Sequence, residues 1–184
     1  PYSATWTVTG CGAVILSSGS YRGEEPPLAK ITAVTTGKIV DMDFHDSMNM
    51  GAAMAMAALD TIVRNFRDLG VDETHYDQII TGDLGTVGRR LLLDYLMQAG
   101  YRIESRYMDC GIEMFSPEEQ DTHAGGSGCG CSAAVLCGYI LPKIRSGEWK
   151  RVLFLPTGAL LSTVSFNEGK SVPGIAHAVV LEVS

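Results

Sequence analysis

The stretch from Met50 to Leu59, MGAAMAMAAL, carries no charged side chain on any face. A helix on a protein surface shows a polar stripe about every 3.6 residues, so a helix without one must be covered all round. Small Gly51, Ala52, Ala53, Ala55 and Ala57 allow neighbours to approach closely, and the methionines fill irregular gaps. An ordinary core helix with a long apolar face accounts for most of this pattern. The missing polar face is left over, and it implies cover from another half-chain or from an oligomer. With Asp46, Ser47 or Asn49 available as caps and Gly70 as a stop, the helix is predicted over about Met48 to Asp68.

The rest of the chain has the means to build a core around such a helix. Its 184 residues are 46% hydrophobic and 19% charged, which fits one ordered domain able to bury about 70% of its extended surface. Lys and Arg number 14 against 21 Asp and Glu, a net charge of −7 that argues against a nucleic-acid or anionic-lipid footprint. Five cysteines, an odd number without a repeating framework, point to reduced thiols in a cytosolic-type compartment and to no disulfides. No run reaches the roughly 18 apolar residues of a membrane helix, and no charged-then-apolar leader opens the chain, so no membrane span is expected.

Along the chain, Ala4 to Ser18 is rich in β-branched residues and is predicted as a strand interrupted by Gly10 and Gly12. Tyr21 to Pro27 reads as a loop and Lys30 to Val40 as a second strand. Tyr76 to Thr81 is a short strand, and Thr86 to Gln98 an amphipathic helix ended by Gly100. A short strand and a turn around Cys110 and Gly111 are expected between Arg106 and Phe115. The glycine-rich passage after His123 turns helical near Cys131 or Ser132, with Pro142 late in that helix, where it kinks or ends the ladder. Arg151 to Pro156 and Ile175 to Val183 are the last strands. This order points to an α/β layered sheet with parallel crossovers.

Gly125 to Ser132 is the strongest local signal, because free N–H groups at a glycine-rich helix start attract a carboxylate or phosphate. Equally, those glycines let the helix start pack against a sheet. The Cys129 and Cys131 pair, with Cys137 following, lacks the second pair a zinc site needs, so no metal is expected. His45, His75, His123 and His177 lie scattered; His177 stands out because it opens an apolar strand after the Pro173-Gly174 turn, where it can face a pocket. Asp83, in ITGDLG at the end of a strand, sits where open α/β sheets place ligand groups, or caps the helix that follows.

The segments TWTVTGCGAVILSS, DMDFHDSMNMGAAMAMAALDTI, DQIITGDLG, DCGIEMFSPEEQ, AGGSGCGCSAAV, PTGALLS and PGIAHAVVLE, in this order, resemble the C-terminal half of a thiolase-like protein over essentially the whole chain. Within that superfamily the resemblance is to a sporulation branch. It implies an α/β half of βαβαβαββ topology, a mixed five-stranded sheet with helices on both faces, plus one strand from the N-terminal half. Residues 1–29 are then the end of the N-terminal half, strand and linker, and residues 30–184 the C-terminal half. The family stacks two such halves in five layers with a buried central helix from each, usually as a dimer, which supplies the cover that Met50 to Leu59 requires. The N-terminal half, home of the family's reactive cysteine, is not in this chain.

The resemblance also predicts what is lost. Where thiolases carry Gly-His-Pro-x-Gly-x-Ser-Gly and ketoacyl synthases Gly-Asn-Thr-x-x-x-Ser, this chain has Gly126, Ser127, Gly128, Cys129, Gly130, Cys131 and Ser132, with Ser127 at the His or Asn position. The second His or Asn falls on Gly82, Asp83 and Leu84. The Cys-x-Gly-Gly-Gly motif falls on Thr157, Gly158, Ala159 and Leu160, without a cysteine. A serine has no ring nitrogen to exchange a proton near neutral pH, so no general base for condensation is visible.

A non-catalytic binding protein is therefore expected, with dipicolinic acid as the implied ligand, alone or as its calcium chelate, taken up into the developing spore. The implied ligand-binding residues are Asp83, Gly126, Ser127, Gly128, Thr157, Gly158, Leu160 and His177; no catalytic residue, metal or cofactor is expected. Implied partners are the membrane proteins of the same sporulation operon and the missing N-terminal half or a second copy, at the periphery of the forespore inner membrane. Two alternatives stay open: an acyltransferase of the thiolase or ketoacyl synthase type, using Cys129 or a cysteine of the missing half, and a purely structural half-domain that assembles with membrane partners.

Overall fold

The computed structural model describes residues 2–19, 23 and 25–184. The predicted loop from Tyr21 to Pro27 falls partly outside them, at Tyr21, Arg22 and Glu24. In chain order the elements are β1 (Trp6–Thr7), β2 (Lys30–Thr35), α1 (Met50–Leu69), β3 (Gln78–Thr81), α2 (Gly85–Gln98), β4 (Tyr107–Asp109) and α3 (Cys110–Glu113). Then follow β5 (Gly126–Ser127), α4 (Cys131–Val135), α5 (Leu141–Arg145), β6 (Arg151–Leu155), β7 (Thr157–Ala159), α6 (Thr163–Asn167), β8 (Gly174–Ala176) and β9 (Ala178–Glu182).

Five strands form one mixed sheet in the order β2-β9-β6-β3-β4. β3 runs parallel to β6 and β4, while β9 is antiparallel to both β6 and β2. Successive strand residues point to opposite faces, so Ile79, Leu153 and Val180 join Ile62, Phe66 and Leu92 of α1 and α2 in one core. Ile80, Val152, Phe154 and Leu181 join Val135, Ile140 and Ile144 of the α4–α5 helix in the other. Covered on both faces, the central strands read as unbroken apolar runs. Helices flank both faces, and one short strand, β1, lies apart, paired in parallel with β5.

Part of the cover for the charge-free stretch of α1 comes from inside the chain. Ala55, Ala57 and Ala58 are wholly buried. A Cβ on Gly51 would stand 2.2 Å from the Leu84 carbonyl oxygen, and one on Gly174 2.4 Å from that of Ala53, so α2 and the β7–β8 hairpin press directly on the α1 backbone. The small residues are the reason these neighbours come so close. Met50, Gly51, Ala52, Met56, Leu59 and Val63 stay half-buried, as do the charged Asp60 and Arg64. Asn49 caps the first turn by accepting from the Ala52 N–H, and Gly70 closes the helix in the left-handed region at φ 66°.

Other expectations shift in extent. The strand predicted over Ala4 to Ser18 is only Trp6–Thr7, because the glycines that follow press on a helix: a Cβ on Gly12 would lie 2.2 Å from the Ala133 carbonyl oxygen. The second strand stops at Thr35, and Val40 makes a lone bridge to Gly174. The turn at Cys110 and Gly111 is a short helix capped by Asp109. The last strand divides at His177: β8 pairs with β7 in a separate hairpin, and β9 with the main sheet. Pro142 is accommodated by a π turn over Leu136–Ile140, where the Leu141 N–H reaches back to the Leu136 carbonyl and the helix restarts with proline in its first turn. Neither β7 nor α6 was predicted.

The accessible surface is 10,241 Å², against about 8,600 Å² for a compact monomer of this mass. Exposed Val14, Ile15, Leu16, Val34, Val164 and Phe166 contribute to that excess.

Candidate functional site

The three loops singled out by sequence meet at the carboxyl ends of the parallel strands, where open α/β sheets offer a crevice. Their junction is Asp83. The Ser127 hydroxyl donates to Asp83 Oδ2 at 2.7 Å and the Gly128 N–H to the same oxygen at 3.1 Å. On the other side the Thr157 hydroxyl donates to Asp83 Oδ1 at 2.9 Å, and the Asp83 N–H donates back to Thr157 Oγ1 at 3.1 Å. Four of the expected residues, Asp83, Ser127, Gly128 and Thr157, thus form one hydrogen-bonded cluster. Asp83 leaves the next helix uncapped, since the residue before α2 is Leu84 with no side-chain cap bond.

Close approach accounts for the glycines around this junction. A Cβ on Gly82 would sit 2.7 Å from the Thr157 nitrogen and 2.8 Å from Ser132 Oγ. Gly128 holds φ at 117°, a backbone state that only glycine adopts easily. Gly126 pairs with Trp6 in the β1–β5 ladder, which pins the loop to the N-terminal segment.

The remaining expected residues lie apart from the junction. Gly158 pairs with Ile175 in the β7–β8 hairpin, and Leu160 is 41% exposed beyond it, its N–H donating to the Pro173 carbonyl. His177 is engaged elsewhere, its Nδ1 accepting the Gly37 N–H at 3.0 Å. The other imidazoles are also occupied away from Asp83: His45 and His123 lie against Asp43 and Asp121, and His75 stands edge-on to Tyr76.

Beside the cluster is a cavity of about 180 Å³, with Asp83 and Ser127 in one wall. Asn49, Met50 and Gly51 at the start of α1, Met54, Leu84 and Val87 also line it, as do Ala4 and Thr5 of the N-terminal segment. The sequence reading missed this contribution from α1, because a helix start more than seventy residues from Ser127 gives no local sign of facing it.

It also missed Asp109. This carboxylate is 1% exposed and takes four donors: the Thr81 hydroxyl at 2.6 Å, the Leu84 and Gly85 N–H groups at 2.9 and 3.1 Å, and the Ile112 N–H at 3.2 Å. Burial pushes its carboxyl above the ordinary range, while the Thr81 hydroxyl and the Leu84 and Gly85 amides pull it down and the Asp83 charge adds to the rise. Tyr107, hydrogen-bonded to Thr81, is pushed well above a normal phenol by burial. An acidic residue between a strand and Cys-Gly-Ile is the available sign, as a helix cap.

Cys131, whose thiol points at the Gly82 carbonyl, is pushed up to about 12 by burial and by the Asp83 and Asp109 charges. Burial raises Cys110 further. Neither is a ready thiolate. Cys129 is exposed.

A mixed sheet in this strand order, helices on both faces and three loops converging at the carboxyl edge define a thiolase-like half. The solved structure of AbyA1, a tetronic acid condensing enzyme, superposes with a TM-score of 0.51 at 13% identity over 88% of this chain and 49% of its own, which shows the fold. Residues 1–182 match the family described as Stage V sporulation protein AD (SpoVAD), and the chain belongs to it. Stage V sporulation protein AD of Bacillus subtilis (strain 168) is 43% identical over 182 residues, 99% of this chain and 52% of that protein. The chain thus spans about half the length of that relative. No helix among the described residues is long and apolar enough to cross a membrane.

Proposed function

We propose that this chain is the C-terminal half of a non-catalytic ligand-binding protein that binds dipicolinic acid for uptake into the developing spore. The observation that carries the reading is the Asp83 junction. The three loops where the thiolase-like family draws its C-terminal-half catalytic groups are joined here by a carboxylate, two hydroxyls and an amide. That cluster ties loops together and has no imidazole to move a proton.

The neighbouring cavity has a size in keeping with one ring, since an apolar protein cavity of about 150 Å³ holds benzene. Met54, Leu84 and Val87 supply the apolar wall, and Asn49, Thr5 and Ser127 the polar groups. A dianion beside Asp83 is repelled unless a cation intervenes, so the calcium chelate suits this site better than the free acid. Gly126 and Gly128 keep the loop in place, whereas contact of Gly158, Leu160 and His177 with the ligand would need the cover of an N-terminal half.

Residues 1–29 are assigned to the end of that N-terminal half and residues 30–184 to the C-terminal half. The excess surface and the exposed Val14, Ile15 and Leu16 support a partner on this side, an N-terminal half or a second copy. Association with the other membrane proteins of the stage V sporulation A operon, at the forespore inner membrane, belongs to the same reading.

Calorimetric titration of the full-length protein with dipicolinate, with and without calcium, is the test. Saturable binding, strengthened by calcium and weakened at least tenfold in Ser127→Ala or Asp83→Ala, is the expected result. Acyl-thioester turnover by the same protein would instead establish an acyltransferase.

A further inference from the structure

Asp83 touches the loops of the site, but its own loop is held from behind. The segment from Thr81 to Gly85 crosses from the end of β3 to the start of α2 over the buried carboxylate of Asp109. Of that carboxylate's four hydrogen bonds, three come from this segment: the Thr81 hydroxyl, the Leu84 N–H and the Gly85 N–H. The fourth, from Ile112, ties the arrangement to α3. Thr81, Leu84 and Gly85 all lie within two residues of Asp83 in sequence.

We propose that Asp109 is a positioning residue of the ligand site: it fixes the β3–α2 loop so that the Asp83 carboxylate faces Ser127, Gly128 and Thr157. The proposal rests on the reading that the Asp83 junction belongs to a ligand site, but its geometric part does not need the ligand. An asparagine at 109 has the same shape and cannot do the same work. Whichever way its amide turns, its NH2 group meets the Leu84 N–H or the pair from Gly85 and Ile112, and the loop must move away. A displaced loop withdraws Asp83 Oδ2 from the Gly128 N–H, 3.1 Å away.

The test compares Asp109→Asn, Asp83→Ala and the double variant in the full-length protein, by dipicolinate titration and by hydrogen–deuterium exchange of the peptide 126–131. Asp109→Asn is expected to weaken dipicolinate binding at least tenfold and to speed exchange in that peptide about tenfold, as Asp83→Ala does. In the Asp83→Ala background it is expected to change neither by more than twofold, because its route of action is already removed. A role confined to general stability predicts additive losses in the double variant, and that result, or unchanged exchange in Asp109→Asn, overturns the proposal. Should the wild type bind no dipicolinate, the ligand reading fails alone and the exchange arm still decides the positioning role. Should Asp109→Asn not fold, Thr81→Val, which removes one of the four donors, replaces it, with exchange expected to rise about threefold; no rise overturns the proposal.

Discussion

Replacing Asp83 by alanine and by asparagine separates a clasp from an ordinary surface acid. Alanine deletes three hydrogen bonds to a carboxylate, from the Ser127 and Thr157 hydroxyls and the Gly128 N–H. Bonds to charged groups contribute about 1.5–3 kcal/mol each in favourable settings. Here the side chain is half-buried and Gly128 exposed, so water recovers part of each, and a total near 3 kcal/mol is expected. Asparagine behaves differently. Its oxygen can still accept from Ser127 and Gly128, while its NH2 donates to Thr157 Oγ1, which already accepts the Asp83 N–H and has a second lone pair. The charge and the acceptor of the Thr157 hydroxyl proton are lost, at about 1 kcal/mol in this half-exposed setting. For a chain of this size about 2–4 °C of melting temperature accompanies each kcal/mol, which gives a fall of about 6–12 °C for alanine and about 2–4 °C for asparagine. Urea unfolding at pH 7 followed by circular dichroism, with thermal melts beside it, reads both. If alanine costs no more than asparagine, or both stay within about 0.5 kcal/mol of wild type, Asp83 is not holding the loops together.

Gly37→Ala places a Cβ 1.7 Å from the Ala176 carbonyl oxygen and is expected to cost more than about 3 kcal/mol or to prevent folding, whereas Gly138→Ala, with open space around it, leaves urea stability unchanged or slightly raised. Iodoacetamide at pH 7.5, followed by peptide mass spectrometry, should label exposed Cys11 and Cys129 well before buried Cys110 and Cys131; rapid labelling of Cys131 contradicts the burial argument. The Arg151 guanidinium, 2.6 Å from Glu182 and hydrogen-bonded to it, holds that carboxyl below its ordinary value of 4.5. The folded value is the lower one, so the ion pair stabilises above pH 4.5, by less than about 1 kcal/mol in its part-exposed setting, and this contribution fades as the pH falls through the folded value. Wild type should therefore exceed Glu182→Gln in stability at pH 7 and match it near pH 2.

The long elements were legible because each carries its own signal. Helix α1 has the cap at Asn49, the stop at Gly70 and an apolar first half, β3 has an apolar pair between polar residues, and β6 an apolar run between Arg151 and Pro156. The short pieces were not, since the three residues of β7 and the five of α6 have no period to read. Likewise His177 looked like the start of a strand, although it is the point where the chain leaves one sheet for another.

For the site, the order and spacing of the motifs around Asp83, Ser127 and Thr157 determined which loops matter, because residue type at a strand end is a property of the chain itself. Their distances from one another along the chain are long, and only the parallel register of β3 and β6 and the docking of the glycine-rich loop decided that they share hydrogen bonds. The source of cover for Met50 to Leu59 was undetermined in the same way. A run without charge states that water is excluded, but which surface excludes it depends on where α2 and the β7–β8 hairpin come to rest. Asp109 is the extreme case: its role lies wholly in four donors gathered by folding, and solvation of an isolated aspartate gives no hint of them.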